Sequence, residues 1–310
     1  MPFTVCVPDC GRVAAMKHPR NGGLIHSIGR DSELGPRSGE QGDMDITSVQ
    51  AYRVARSRED LRLAPGEALL AGGTWIMSEP QPATTGLVDL TGLAWPDLEQ
   101  TPEGLRVAAT CTIANLVAWA ATAPAHWPAA QLVPAAANAL LASFKIWNTA
   151  TVGGNICRAF AAGAMVSLSV ALDAVAVIWT KDDERRMPVA DLVTGNGTTI
   201  LGRDDVLRAV EIPAHALASR ALLRKIALAE HGRSGAVVTG RVDPDGTSVF
   251  TVTAATATPT VLRFAQLPTE TDLADAVASA PGYYTDPLGA ADWRRAVSIE
   301  LASRIRAELA

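Results

Sequence analysis

The sequence predicts an α+β protein, and three observations support this. Segments with the two-residue alternation of strands are intermixed with segments of helical periodicity, without the regular strand-helix alternation of a doubly wound sheet. Apolar residues make up 48% of the chain and charged residues 19%, which is ample for a packed interior. The length of 310 residues exceeds what one core usually holds, so two or three subdomains are expected.

The N-terminal segment, residues 1–43, differs in composition from the rest of the chain. Glycines punctuate charged and polar residues there, and the segment has neither the strand nor the helix period. Such a composition is typical of chains that bury too little apolar surface to fold. We expect either a disordered tail or a mis-annotated extension upstream of Met44 as the true initiator.

From Met44 to about residue 160, strands and helices follow each other in mixed order. "ITSVQAYRVA" predicts a strand, "SREDLRLA" a capped turn or helix, and "ALLAGGTWIM" a strand that breaks at its glycines. "TGLVDLTGL" predicts a strand and a turn, and "GLRVAATCTIANLVAWAATA" a strand and a helix capped by Thr112. "WPAAQLVPAAANALLASF" is typical of an alanine-rich helix with a break or second start at Pro134. "KIWNTATVGGNICRAF" is interpreted as a glycine-interrupted loop.

The run from residue 161 to residue 179 is almost long enough to span a bilayer. Asp173 lies inside it, and a helix-like pattern changes to β-branched alternation there, which favours a buried helix, a turn and a core strand. Strands are then predicted in "RRMPVADLVTGNGTTI", "VLRAVEIP" and "ALLRKIALAEHG", followed by a hairpin in "TSVFTVTAATATPTVLRF". Two helices, "TETDLADAVASA" and "GAADWRRAVSIELASRIRAELA", close the chain.

Composition also narrows the possible partners. With 27 basic against 32 acidic side chains the net charge is −5, and no basic stripe interleaves with aromatics, which argues against nucleic acid as a partner. The start of the chain has no secretory signal, so we expect a cytoplasmic protein without a membrane span, and "NGT" at 196–198 is a turn rather than a glycosylation site. A zinc site is disfavoured because its candidate ligands are irregularly spaced, namely Cys6, Cys10, His18 and His26.

Two short elements are candidates for binding an anion. "AGGT" at 71–74 and "TVGGN" at 151–155 each offer consecutive amides beside a hydroxyl or amide side chain, a form that suits anionic oxygens. Neither is a G-x-G-x-x-G or a G-x-x-x-x-G-K-[ST] fingerprint. Taken alone, they are either two tight turns or two clamps around one pyrophosphate.

The order and spacing of these motifs carry a family resemblance. With "LLAGGTWIM", "GLVDLTGL", "KIWNTATVGGNIC", "VSLSVALDAVAVI", "VLRAVEIP" and "LLRKIA", the chain from Met44 onward resembles the FAD-binding medium subunit of the molybdenum hydroxylases, such as xanthine dehydrogenase and carbon monoxide dehydrogenase. The resemblance implies the vanillyl-alcohol-oxidase-like (PCMH-type) FAD fold over 44–215, with subdomains of about 44–100 and 101–215. It also implies a C-terminal α+β domain with a small antiparallel sheet over 216–310.

The same resemblance implies where FAD would bind. Leu207 would lie near the isoalloxazine, and Lys225 would match the family's lysine near the flavin, although a solvated lysine at a strand end is an equal alternative. Backbone of the two motifs would receive the adenosine-pyrophosphate part, which assigns to the cofactor Leu70, Ala71, Gly72, Gly73, Thr74, Trp75, Ile76, Thr151, Val152, Gly153, Gly154 and Asn155. No catalytic or metal-binding residue is assigned to this chain.

The resemblance also implies a function shared with other chains. Iron-sulfur clusters of a small subunit would pass electrons from a large molybdopterin subunit to FAD here, and then to NAD+, oxygen or another acceptor. The four cysteines are too dispersed to hold a cluster, and Cys157 is interpreted as a small apolar filler. The alternatives are a non-catalytic assembly subunit with weakened or lost FAD binding, and a free-standing flavin oxidase, which the absence of an evident general base disfavours.

The sequence departs from the family pattern at several positions. "AFAAGA" places Phe160, Ala161 and Ala164 where the serine, proline and aspartate of an "ASPxxD" segment are expected. Trp75 replaces a polar residue after "GGT", and Ala229 stands where the family has an arginine. Loss of the aspartate's hydrogen bond would cost about 1–3 kcal/mol if its partner stays buried.

Overall fold

The computed structural model describes residues 48–140, 142–229 and 232–310. All of them belong to one compact unit, Asp43–Ala310. The predicted extension over 1–43 and the zinc alternative at Cys6, Cys10, His18 and His26 lie outside the described residues.

The described chain intermixes strands and helices, as the sequence predicts for an α+β protein. The strands are β1 (Ala51–Val54), β2 (Glu67–Leu70), β3 (Gly86–Asp89), β4 (Leu98–Thr101), β5 (Gly104–Ala108), β6 (Val175–Trp179), β7 (Glu184–Pro188), β8 (Val193–Gly195), β9 (Thr198–Thr199), β10 (Val206–Pro213), β11 (Arg220–Ile226), β12 (Ala236–Val242), β13 (Ser248–Thr253) and β14 (Thr260–Phe264). The helices are α1 (Ile113–Ala120), α2 (Leu132–Ala139), α3 (Phe144–Trp147), α4 (Val152–Arg158), α5 (Ala164–Ala171), α6 (Val189–Leu192), α7 (Ala214–Leu217), α8 (Glu270–Ala278) and α9 (Ala291–Leu309).

Three main sheets follow each other along the chain. The first is parallel with order β1-β3-β2, the second is antiparallel with order β4-β5-β10-β6-β7, and the third is an antiparallel meander β11-β12-β13-β14. β8 and β9 form a small separate pair. Each main sheet falls within one of the three proposed segments except at β4, which crosses residue 100. The domain boundaries themselves stay a prediction.

Several local predictions are confirmed. Thr112 caps α1 by accepting the Asn115 N–H at 3.1 Å. The alanine-rich segment opens with a 3₁₀ turn, Pro128–Gln131, and α2 then starts at Leu132 with Pro134 in its first turn, where a missing N–H is tolerated, as expected for a second start. The run over 161–179 folds as the buried helix α5, a turn and the core strand β6. In the part of the chain that the structure describes, no helix has the length and apolar character needed to cross a membrane.

Helix α5 explains why its sequence is apolar all round. Every residue from Ala164 to Ala171 is buried, because the helix packs against α2 and α4 on one side and against β12 and β13 on the other. Ser167 Oγ lies 2.6 Å from Thr253 Oγ1, so its hydroxyl is satisfied in the core. The helix thereby joins the second sheet's helical layer to the third sheet.

The third sheet has a core of its own. Helix α9 packs on β11 and β12 and α8 packs on α9, which buries Phe250, Val252, Leu273, Leu301 and Ile305. At Gly240 a Cβ would lie 2.5 Å from Ile305 Cγ2, so only glycine lets α9 approach the sheet this closely.

A charged cluster also fastens α5 to the third sheet. Asp173, at the left-handed φ of 52°, accepts hydrogen bonds from Arg241 and from Arg263 at 2.7 and 3.0 Å. Arg241 is 2% exposed and also bonds Asp243, and His215 Nε2 lies 3.9 Å from Asp173 Oδ2. Burial works against the Asp173 carboxylate, but the hydrogen bonds from Arg263 and Arg241 outweigh it and hold its pKa below the ordinary value.

We predict that Asp173→Asn lowers the free energy of unfolding by about 2 kcal/mol, because Arg241 and Arg263 lose a charged acceptor while Asp243 remains as a counter-charge for Arg241. Asparagine keeps the size of the side chain and tolerates the left-handed backbone, so the charge is what changes. The folded-state pKa is depressed, so this stabilisation is complete above the unfolded carboxyl pKa of about 4 and is lost as pH falls through the folded value. Urea unfolding of both proteins at pH 7 and at successively lower pH measures the difference.

Glu300→Gln is the matched control, because it also removes one carboxylate from an arginine pair. Glu300 and Arg304 are exposed, with Nε and Oε1 2.7 Å apart, so we expect a change within about 0.5 kcal/mol. Equal losses in the two variants would contradict the structural importance of the Asp173 cluster.

Candidate functional site

The described residues enclose a cleft of about 810 Å³, a size typical of cofactor pockets. Segments from every main sheet contribute to its walls. They are the loop after β2, the stretch from the end of α2 to the start of α5, the β9–β10 connection, and the C-terminal segments 233–234 and 284–288.

The first glycine loop, residues 71–78, leaves β2 and lines the cleft. Gly73 adopts φ of 69°, which turns successive peptide groups in a way that forms an anion-binding concavity. Among the described residues, none accepts a hydrogen bond from the backbone N–H groups of 72–76. The loop is closed instead by Met77 N–H donating to the Gly73 carbonyl at 2.9 Å. Five consecutive donors beside the cleft thus have no partner in the part of the chain that the structure describes.

Gly72 has a different reason to be glycine. A Cβ on it would lie 1.8 Å from the Thr149 carbonyl oxygen and 3.2 Å from Ala150 Cα. The backbone of the first glycine loop therefore rests directly on the backbone that precedes the second motif. The two motifs, about 80 residues apart in sequence, are neighbours in space.

The second motif is a helix start and not a loop, so the interpretation of "KIWNTATVGGNICRAF" as a loop is wrong. Thr151 caps α4 by accepting the Gly154 N–H at 3.0 Å, and Val152 N–H donates to Cys111 O at 2.9 Å. Gly153 N–H donates to Ala109 O at 2.9 Å, and a Cβ on Gly153 would lie 2.4 Å from Ala109 Cβ. These glycines let α4 begin in contact with the end of β5, which outweighs their low helix propensity.

Four of the five amides of the second motif, those of residues 152–155, are consequently occupied within the protein. Besides the three bonds above, Asn155 N–H donates to Thr151 O at 3.0 Å. The Asn155 side chain orients the next helix, since its Oδ1 accepts the Met165 N–H at 2.9 Å. Its Nδ2 remains as a donor at the cleft wall.

Asn196 serves the same wall from the β8–β9 turn. Its Oδ1 accepts the Ala161 N–H at 3.0 Å, and the residue lines the cleft, which fits the expected turn in this "NGT". Ala164, in the position of the family aspartate, is buried and begins α5. No carboxylate is available at that point.

Arg158 connects the two motifs through its side chain. The guanidinium lies 4.0 Å from the centre of the Trp75 ring and 3.9 Å from that of Phe160, so one cation is held between two aromatic faces. We call Trp75, Arg158 and Phe160 the Arg158 stack. The Arg158 Nη1 donates a long hydrogen bond of 3.5 Å to the Gly197 carbonyl. The buried Nε of Arg158 has no hydrogen-bond partner within the described residues. Desolvation lowers the pKa of this guanidinium, and only the more distant Glu79 raises it.

The carboxylates of the cleft are already neutralised. Asp205 pairs with Arg185 at 3.0 Å, and Asp286 pairs with the fully buried Arg294. The Arg158 guanidinium has no carboxylate within 4 Å among the described residues. The balance of charge in the cleft therefore favours an anionic ligand.

Most of the residues assigned from the sequence line the cleft. They are Ala71, Gly72, Gly73, Thr74, Trp75, Ile76, Thr151, Gly153, Gly154, Asn155 and Leu207. Leu70 and Val152 are buried behind the wall, and Lys225 lies on β11 with its Nζ donating to Asn138 O at 2.9 Å. The ligand contacts of all fourteen residues stay predictions.

The sequence analysis missed Arg158 and the C-terminal wall. The signal for Arg158 is present, because a cation directly follows a glycine motif that is expected to bind an anion. Nothing in the pattern marks the wall residues of the C-terminal segments, namely Arg233, Ser234, Tyr284, Asp286 and Leu288. Cys157 lines the cleft wall, where desolvation raises the pKa of its thiol to about 12 and so disfavours a redox thiol, whereas Cys111 is buried.

The fold and the cleft define an α+β protein that binds an anionic cofactor. The family model described as "FAD binding domain in molybdopterin dehydrogenase" matches residues 47–215, more than half of the chain. The chain belongs to this family, and FAD is its cofactor. The unpartnered amides of the first glycine loop and the orphaned Nε of Arg158 fit a group that carries a diphosphate.

Solved structures share the fold. A chain of quinoline 2-oxidoreductase from Pseudomonas putida 86 matches with a TM-score of 0.70 and 20% identity, covering 84% of this chain and 96% of that one. A chain of carbon monoxide dehydrogenase from Hydrogenophaga pseudoflava matches with a TM-score of 0.68 and 20% identity, covering 82% of this chain and 94% of that one. A chain of reconstituted CO dehydrogenase from Oligotropha carboxidovorans matches with a TM-score of 0.71 and 18% identity, covering 83% of this chain and 95% of that one. The expected PCMH-type fold is thereby confirmed. Among curated proteins, none matches this chain.

We predict that Gly72→Ala destabilises the protein by about 1–3 kcal/mol and lowers its FAD content, because the new methyl group pushes the first glycine loop off the Thr149 carbonyl. Urea unfolding and the flavin absorbance of the purified protein measure the two effects. Gly202→Ala is the control, since its Cβ would meet nothing closer than 3.5 Å at an ordinary φ. A Gly72→Ala protein as stable and as yellow as the control would contradict the packing argument.

Proposed function

We propose that this chain is the FAD-carrying electron-transfer subunit of a molybdenum hydroxylase complex. The observation that carries the proposal is the family match over residues 47–215, joined to a cleft where unpartnered amides and a cation face one space. FAD supplies the redox chemistry when bound, accepting electrons and passing them on. The chain's own residues bind the cofactor, orient it and limit its contact with water.

The residues of the cleft have distinct proposed roles. The amides of the first glycine loop hold the diphosphate, and Asn155 Nδ2 adds a donor from the opposite motif. Leu207, buried on β10 at the cleft wall, presents an apolar surface to the flavin ring. Lys225 donates a hydrogen bond to the carbonyl of Asn138, the residue before Ala139 of the cleft wall. This position supports an indirect influence of Lys225 on the flavin more than a direct contact.

The partners we propose are an iron-sulfur small subunit and a molybdopterin large subunit. The described cysteines Cys111 and Cys157 are free and separated, so clusters would have to come from another chain. Two structural neighbours are a carbon monoxide dehydrogenase that lacks the Mo-pyranopterin moiety of its molybdenum cofactor and a Cu,Mo-CO dehydrogenase. We propose NAD+, oxygen or another carrier as the final acceptor, in the cytoplasm.

One observation favours a second candidate, a non-catalytic assembly subunit with weakened or lost FAD binding. Ala164 is buried where the family aspartate is expected, and Phe160 replaces a serine, so two polar side chains that could bind the cofactor are missing. The stacking of Phe160 on Arg158 argues against a simple decay of the site, because the replaced residue makes a defined new contact.

We predict that the complex purified through a tag on this chain contains about one FAD per copy, releases it on denaturation, and also contains iron and molybdenum. Chromatography of the released flavin and metal analysis measure these contents. A colourless complex with this chain at full stoichiometry would support the assembly subunit. Oxidation of an organic substrate by the isolated chain would support the free-standing oxidase.

A further inference from the structure

The second glycine motif supplies few donors to a two-loop clamp around a diphosphate, because only the Thr151 N–H and the Asn155 Nδ2 have no acceptor among the described residues. All four amides from Val152 to Asn155 are bonded within the protein. The first glycine loop retains its donors but is uncharged. A diphosphate bridge carries two negative charges, and taking it out of water calls for cationic or strongly polarised partners. That partner has to be a side chain.

Among the described residues, two cationic side chains line the cleft, Arg158 and Arg233, and Arg158 is the one whose guanidinium lies on a side chain of the first glycine loop, 4.0 Å from the centre of the Trp75 ring. We propose, resting on the proposed function, that its guanidinium is the charged ligand of the FAD diphosphate, acting opposite the amides of the first glycine loop. Arg158 lines the cleft with no carboxylate within 4 Å among the described residues, and Asp205 and Asp286 are held by other arginines and do not compete for it. The Arg158 Nη2 makes no hydrogen bond to the described residues, so this end of the guanidinium can donate to an anionic ligand.

The aromatic neighbours determine how Arg158 can bind. The Trp75 and Phe160 rings lie 4.0 and 3.9 Å from the Arg158 guanidinium, and the N–H groups of a planar guanidinium point outward from its edge, where a ligand can accept from them. Trp75 belongs to the first glycine loop, so the stack fixes the cation relative to the row of amides. A preorganised cation loses less entropy on binding than a free surface arginine.

This arrangement gives one explanation for two departures from the family pattern. Trp75 and Phe160 come from separate motifs, yet both contact the same guanidinium. One charged contact to another part of the cofactor then stands in for the polar side chains that Phe160 and Ala164 replace. The cofactor is then held more by its diphosphate and less by its flavin half.

The test measures FAD binding to the full chain after its flavin has been removed, by fluorescence titration at several NaCl concentrations. We expect Arg158→Gln to raise the Kd for FAD tenfold or more at low salt and to reduce its dependence on salt, because one ion pair is lost. Inorganic pyrophosphate should compete with FAD on the wild-type chain and much less on the variant. Arg158→Lys, which keeps the charge but not the planar fork, should lie between the two.

Arg295→Gln is the matched control. Arg295 also stacks on an aromatic ring, that of Tyr283 at 5.0 Å, but it is exposed and does not line the cleft. The Arg295→Gln variant should bind FAD like the wild type. Equal urea midpoints of the two glutamine variants would exclude a folding defect as the cause of weaker FAD binding in Arg158→Gln. Phe160→Leu removes one of the two rings that hold the Arg158 guanidinium. We expect this variant to bind FAD more weakly than the wild type, although its charge is unchanged.

The outcomes separate this inference from the proposed function. Wild-type binding of FAD together with a Kd for Arg158→Gln within twofold of it would overturn the role of Arg158 and leave the flavoprotein assignment intact. A wild-type chain that does not bind FAD would overturn both. A tenfold loss in Arg158→Gln and none in Arg295→Gln supports both.

Discussion

The cleft depends on one contact between backbones, that of Gly72 on the carbonyl of Thr149. No side chain fits there, because even a methyl group would lie 1.8 Å from the oxygen. The contact brings a loop of the parallel sheet against the helical layer of the antiparallel sheet. Gly153 on Ala109 is a second contact of the same kind, and it seats α4 on the end of β5. Glycine in these motifs is thus first a requirement of assembly, and the binding surface follows from it.

This assembly divides the work between the two glycine motifs unequally. The second motif uses the amides of residues 152–155 to cap α4 and to bond the end of β5. These N–H groups are therefore fixed and hydrogen-bonded within the protein. The first glycine loop keeps the donors of 72–76 without acceptors among the described residues. A pair of similar sequence patterns therefore has two physical roles, one that builds the wall and one that presents donors. The side chains that follow the second motif, Asn155 and Arg158, extend its contribution into the cleft.

Features that depend on neighbouring residues in the sequence could be predicted, whereas contacts between residues far apart in the sequence could not. Strand alternation, the Thr112 cap and the Asp173 turn are local, and the structure confirms each of them. The helix over 152–158 escaped prediction because two adjacent glycines disfavour a helix locally, and the contact that compensates comes from Ala109, far away in the sequence. The Arg158 stack was equally invisible, since Trp75 and Phe160 are brought together only by the fold. The family resemblance located the glycine motifs but carried no signal for residues in which this chain differs.

The C-terminal sheet belongs to the same argument, because it supplies the last wall of the cleft. Arg294 is fully buried and donates to the carbonyls of Gly235 and Ala254 and to Asp286, while its guanidinium lies 4.2 Å from the Tyr284 ring centre. One arginine therefore fixes the wall segment 284–288 to two strands. Replacing it by an apolar residue would remove a donor from four acceptors, of which the Ala254 carbonyl and Asp286 would keep another donor each. Arg158 also lies on aromatic rings at the cleft, but unlike Arg294 it has no carboxylate partner among the described residues.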